Sequence, residues 1–293
     1  SHSGKVDLAD ETIHWDLSQS LSYGQYLCLP QLLDCQHPLS AEHDEMLFII
    51  IHQTSELWMK IMLHELDAAR QRIAQDELDP VFKMLSRVQR IQEQLVQSWN
   101  ILATMTPHDY MSFRDQLGQS SGFQSHQYRL LEFCLGNKNA QMIEVHRNSP
   151  ELYEKLQQAL NKPSIYDESL RLMARRGLSL PDEITERDWR EPHIEHSAVA
   201  AAWLEIYRDS EKYWDFYELG EKLVDIEQKF QQWRFNHMKT VERIIGYKRG
   251  TGGRGWFGYA HQFATFGDCI CMGGDCATSD LPEYDRPGTG ELG

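Results

Sequence analysis

Between Leu223 and Ile244, apolar or aromatic side chains return every three or four residues, at Leu223, Ile226, Phe230, Trp233, Val241 and Ile244, with one double step after Trp233. That period is the buried stripe of an amphipathic helix, and a stripe this long commits the chain to packing helix against helix. His237 fills the double step. An imidazole on a core-facing stripe must be satisfied by a hydrogen bond or by a metal, and a lone one is more often a satisfied core residue than a ligand. The pattern stops at Gly246, and a basic, glycine-rich segment follows: Tyr247-Lys248-Arg249-Gly250-Thr251-Gly252-Gly253. Stripe and segment together read as half of a binding site.

Helical patterning also fills the earlier chain. Ser40 can cap a helix with Glu42, Asp44 and Glu45 in its first turns, where the helix dipole favours acids. Met46 to His52 is apolar almost all round, which implies a helix buried on most sides and running to about Ile73. Phe48, His52, and Ser55 or Glu56 share one face of it. A second helix, about Pro80 to Ala103, carries Leu85, Val88, Ile91, Leu95, Trp99 and Leu102 at the same spacing. Thr106 caps a fresh start with Pro107 in its first turn, and there Tyr110 and Arg114 lie one turn apart. Gly118 and Gly122 bracket a loop containing Ser121, before a helix from about Phe123 to Gly136. Shorter helical pieces span Met142 to Gly177, and helix resumes near Ser197 and becomes the long element. Strand signals are nearly absent, so the expected fold class is all-α, a helical bundle with one long central helix.

Composition narrows the partners. A formal charge of −15 argues against nucleic acid, whose phosphates need a basic surface. The longest strongly apolar run, Met46 to Ile51, is far short of the roughly 20 residues of a membrane span. The chain begins with Ser1, and no basic-then-apolar signal segment opens it, which gives the cytoplasm as the expected location. Residues 1–20 read as a mobile arm and 21–253 as one helical domain. Of the six cysteines, Cys28, Cys35 and Cys134 sit in apolar surroundings and read as small core hydrophobes. Cys269, Cys271 and Cys276 cluster in a divergent tail, 254–293, whose glycine and aspartate content suits disorder. Three thiols could hold a soft metal such as zinc, yet a fourth ligand stands at no evident spacing.

Two histidines on the apolar stripes of separate long helices, in a chain rich in aromatic rings, suggest a flat apolar cofactor held between helices. Haem fits, with one imidazole on the iron and a distal pocket that steers oxygen chemistry. A di-iron carboxylate centre competes, because helical bundles build such centres from Glu-x-x-His pairs. The spacings argue against it: His64 and Glu65 are adjacent, and Glu144 and His146 are two apart. Periodicity alone cannot say whether His52 and His237 face one another.

Longer motifs carry a resemblance. His43-Asp44-Glu45-Met46-Leu47-Phe48-Ile49-Ile50, His52-Gln53-Thr54-Ser55-Glu56-Leu57-Trp58, Phe113-Arg114, Ser120-Ser121-Gly122-Phe123-Gln124-Ser125, Tyr128-Arg129, Glu132-Phe133, Leu135-Gly136-Asn137-Lys138-Asn139, Trp233-Arg234-Phe235, His237 and Lys248-Arg249-Gly250-Thr251-Gly252-Gly253 resemble, in order, the tryptophan 2,3-dioxygenase family in its bacterial form. The likeness runs from about Tyr23 to Gly253, after which the chain departs from the family's pattern.

The resemblance implies haem b, ferrous in the active form, with His237 as the proximal iron ligand. It implies that His52 hydrogen-bonds the indole N–H and that Phe48 packs on the substrate. Arg114 would pair with the substrate carboxylate, Thr251 would lie near its ammonium, and Tyr110 and Ser121 would line the pocket. Tyr23, Tyr26 and Leu27 would come from a neighbouring subunit of a homotetramer, a dimer of dimers. The implied reaction is cleavage of the indole C2–C3 bond of L-tryptophan by O2, giving N-formylkynurenine. A haem monooxygenase acting on tryptophan-like or other aromatic amino acids is the nearest alternative, and a non-catalytic haem-binding protein is the alternative of another class.

Overall fold

The computed structural model describes residues 20–245. Among them the chain forms eleven α-helices: α1 (Tyr23–Tyr26), α2 (Leu29–Leu33), α3 (His43–Ala74), α4 (Asp79–Leu102), α5 (Pro107–Phe113), α6 (His126–Leu135), α7 (Pro150–Leu160), α8 (Ile165–Arg175), α9 (Asp182–Thr185), α10 (Ser197–Arg208) and α11 (Trp214–Ile245). Three short 3-10 helices join them, at Arg114–Leu117, Gly122–Gln124 and Ala140–His146. No strand occurs among the described residues, in line with the all-α expectation.

Three helices carry the core. The buried face of α3 runs through Ile51, Ser55, Met59, Met62, Leu66, Ala69 and Ile73, always three or four apart. That of α4 runs through Leu85, Val88, Ile91, Leu95, Trp99 and Leu102. In α11 it runs through Leu223, Ile226, Phe230, Trp233 and Ile244, as the period requires. Each buried leucine, isoleucine, valine, methionine or phenylalanine among them stabilises the fold by about 1.5–3 kcal/mol on leaving water. α4 packs along both α3 and α11. Gln92, buried on α4, donates its amide to the carbonyl of Ile226 at 3.0 Å and ties the α4–α11 seam.

The expectation of one long central helix is therefore corrected. α3 and α11 are each 32 residues long, and the shorter α4 lies between them. Nor is helix continuous from Ser197: α10 closes at Arg208, and the Asp209 carbonyl accepts from the Tyr213 N–H at 3.1 Å to turn the chain into α11. An Asp-Ser pair competes with the helix for backbone hydrogen bonds, which favours that break.

Two local expectations also change. Ser40 is not the cap of α3, whose N-cap position is Glu42. The Glu45 carboxylate instead reaches back to accept the N–H groups of Leu39 and Ser40, each at 2.7 Å, and the Ser40 hydroxyl. Cys28 and Cys35 are exposed rather than buried, because α1 and α2 bury no side chain within this chain. Cys134 on α6 is half-buried against the core, and burial pushes its thiol up to about 11. Thr106 does cap α5, in a capping box with Asp109. Most of the N-terminal arm, Gly246 with the glycine-rich segment after it, and the cysteine cluster lie outside the described residues.

Candidate functional site

On α3, Phe48 and His52 stand one turn apart with ring centroids 4.2 Å from each other. His52 Nδ1 lies 2.7 Å from the Phe48 carbonyl, which can only accept. The ring therefore carries its hydrogen on Nδ1 and leaves the Nε2 lone pair available in its neutral form. Burial pushes the His52 pKa below its ordinary 6.5, against the opposing pull of the Phe48 carbonyl and the Glu56 charge. A neutral imidazole is thus the resting state at pH 7.

α5 closes one side of this pair. Phe113, fully buried, meets Phe48 edge-on at 5.7 Å and Tyr110 edge-on at 5.5 Å, and Tyr110 stands 5.9 Å from Phe48. Arg114 follows at the C-cap of α5, with its guanidinium beside the Tyr110 phenol. Burial raises the Tyr110 phenol above its ordinary pKa, and the guanidinium works against that rise.

The other half is built by α4, α6 and α11. His237 stacks on Trp99 at 4.6 Å and on Trp233 at 5.9 Å. Behind them Tyr128 stands 5.4 Å from Trp233 and 5.8 Å from Phe230. Burial, and then the charge of His52, push the His237 pKa down to about 3. His237 thus lies within range of the His52 charge, the juxtaposition that periodicity could not supply.

Phe48, His52, Tyr110 and Arg114 come together, and His237 joins them from the far helix. Ser121 has a structural duty: its hydroxyl accepts from the Phe123 N–H at 3.3 Å and caps the Gly122–Gln124 turn. Tyr23, Tyr26 and Leu27 are exposed by 74%, 73% and 39%, so within this chain their side chains face outward. Thr251 lies outside the described residues. Phe113, Tyr128 and Trp233 stand in the motifs that carry the resemblance, but reading the sequence assigned no site role to them or to Trp99. Trp99 was legible only as a member of a core stripe, and nothing in the spacing of either tryptophan marks it as a neighbour of His237.

The donor set can be tested against a cofactor. Among the described residues no group of three or more His, Cys, Asp or Glu side chains is placed to hold a metal ion. Two neutral imidazoles from different helices, enclosed by aromatic rings, fit instead a flat group that brings its own equatorial ligands, as haem does.

Fold and site together define a class: a helical protein with an imidazole pair and an aromatic enclosure suited to a planar, iron-bearing cofactor. The chain belongs to the tryptophan 2,3-dioxygenase family, whose sequence model matches residues 9–266. That match extends beyond the motif-bearing stretch at both ends. Among curated relatives, tryptophan 2,3-dioxygenase 1 of Ralstonia nicotianae is 59% identical over 238 residues, covering 81% of each chain. Tryptophan 2,3-dioxygenase of Ralstonia pickettii is 58% identical over 247 residues, 84% of this chain and 89% of that one. The Polaromonas sp. (strain JS666) enzyme of the same name is 58% identical over 253 residues, 86% of each. The family is haem-dependent. No helix among the described residues is long and apolar enough to cross a membrane.

Proposed function

We propose that this chain uses haem b to cleave the indole C2–C3 bond of L-tryptophan with O2, yielding N-formylkynurenine. The observation that carries the reading is the pairing of His237 with a second imidazole, His52, whose charge reaches it, each set among aromatic rings, in a chain of this family. When bound, ferrous haem supplies the iron at which dioxygen is activated. His237, held neutral by burial, offers that iron a nitrogen lone pair. His52 accepts the indole N–H through Nε2, the nitrogen left available by the bond to the Phe48 carbonyl. Phe48, backed by Phe113, walls the indole and keeps water from it.

Arg114 takes the substrate carboxylate, a task suited to its planar fork, and the Tyr110 phenol steadies that guanidinium. Thr251 takes the ammonium, and Ser121 contributes to the pocket loop. Together these groups fix a zwitterion and a flat ring in one pose, which is the protein's share of the rate. Tyr23, Tyr26 and Leu27 reach the pocket of a neighbouring subunit in a homotetramer built as a dimer of dimers. Their exposure supports this, as does the row of exposed Met46, Ile50, Leu57 and Ile61 on the outer face of α3.

The test is product analysis on haem-loaded protein with L-tryptophan, O2 and reductant. N-formylkynurenine absorbance is the expected result. A hydroxylated or oxindole product would show a monooxygenase, and a Soret band without turnover would show a haem-binding protein. Losing the charge-assisted bond in Arg114→Ala is expected to raise KM for tryptophan roughly tenfold to a hundredfold. An unchanged saturation curve removes Arg114 from the carboxylate.

A further inference from the structure

His237 is held by ring faces as well as by its backbone. Trp99 of α4 stacks on it with the planes 26° apart, and Trp233, one turn back on α11, lies at 19°. The two indoles are themselves 5.9 Å apart, at 44°. Both are more than nine-tenths buried. An imidazole that binds iron through one nitrogen keeps a soft rotation about that bond, and its plane is set by whatever surrounds the ring. Outer-shell hydrogen bonds usually do this. Alongside them, the nearest ring among the described residues is an indole from a different helix, so part of the restraint spans the α4–α11 seam.

A second observation concerns the indole nitrogens. Trp99 Nε1 and Trp233 Nε1 are buried without a hydrogen-bond acceptor among the described residues. Leaving a buried donor unmatched is unfavourable, and a leucine or phenylalanine at the same stripe position would avoid it. A tryptophan at position 99 therefore serves through its broad flat face.

We propose that Trp99 is a positioning residue for the iron ligand: stacked on His237 from the neighbouring helix, it fixes the plane of the imidazole. The plane of an axial imidazole governs its overlap with the iron, so the residue acts on the metal without touching it. The inference rests on His237 being the haem ligand.

Its test compares haem-loaded wild type with Trp99→Phe, which keeps a flat face without the N–H, and with Trp99→Leu and Trp99→Met, which lose the face. The readouts are the ferrous iron–imidazole stretching band, the reduction potential and the rate of haem transfer to a scavenging apoprotein. Trp99→Leu and Trp99→Met are expected to shift and broaden the band, move the potential and release haem up to about tenfold faster, the scale of one lost aromatic contact. Trp99→Phe is expected to stay near wild type. Should Trp99→Leu fail to fold by circular dichroism, the Met and Phe pair decides the matter alone. Band and potential unchanged in the face-less variants overturn the proposal. So does a Phe variant displaced as far as Met, which would assign the effect to the N–H. A folded wild type that binds haem without an iron–imidazole band overturns the ligand assignment itself, a different result from either.

Discussion

His52 has one lone pair to offer, and its use depends on charge. Protonating Nε2 would turn the proposed acceptor of an indole N–H into a second donor. Burial holds the His52 pKa below 6.5, so the acceptor is lost only as pH falls through that lower value. With tryptophan as substrate, kcat/KM is expected to stay level from pH 8 towards pH 6.5 and to fall below it. His52→Phe should retain a lower rate without that acid limb; a wild-type limb centred above 6.5 would contradict the argument. At this scale the sequence was informative wherever a polar group broke an apolar pattern. Arg114 took its role from the resemblance, while His52 and His237 stood out as polar side chains on apolar stripes. Phe113, Trp99 and Trp233 did not, because an aromatic side chain at core spacing looks the same whether it faces other core residues or an imidazole.

Helix by helix, periodicity located the elements, and side-chain chemistry moved their ends. The Thr106 cap and the left-handed Gly136 (φ +103°) follow directly from residue type. Ser40 misleads because it stands two residues before the N-cap, where its hydroxyl accepts from the Glu42 N–H and donates to Glu45, and a single run from Ser197 misleads because Asp209 closes a turn. Which helix lies between which was not legible, since it depends on contacts between stripes far apart in sequence. One contact is tight enough to test. A Cβ added at Gly220 of α11 would stand 2.8 Å from the Trp203 ring of α10, where ordinary contact begins near 3.4 Å. Gly220→Ala should therefore destabilise the fold by about 1–3 kcal/mol, although alanine is the better helix former in isolation. Urea denaturation checks this. A stabilised variant would mean that the Trp203 ring slides aside without loss.

For the whole molecule, the question is whether one chain makes a complete site. The outward tyrosines of α1 and the apolar outer face of α3 are surfaces a second copy can cover, and a pocket shared in this way has a genetic signature. His237→Ala and Tyr26→Ala chains, each impaired alone, should regain activity when co-expressed, because some mixed pockets pair an intact histidine with an intact tyrosine. Mixed assemblies no more active than the better parent would mean that each pocket is self-sufficient. Within a single chain, α4 separates the two helices that carry the histidines while bearing neither histidine itself. The spacing of α3 from α11 thus depends on the side chains of a third helix that packs on both. Mutational drift along α4 can widen or narrow the slot while both histidines stay in place. A lineage can accordingly retune the gap between its two long helices through α4 positions that leave both histidines, and the Trp99 face on His237, unchanged.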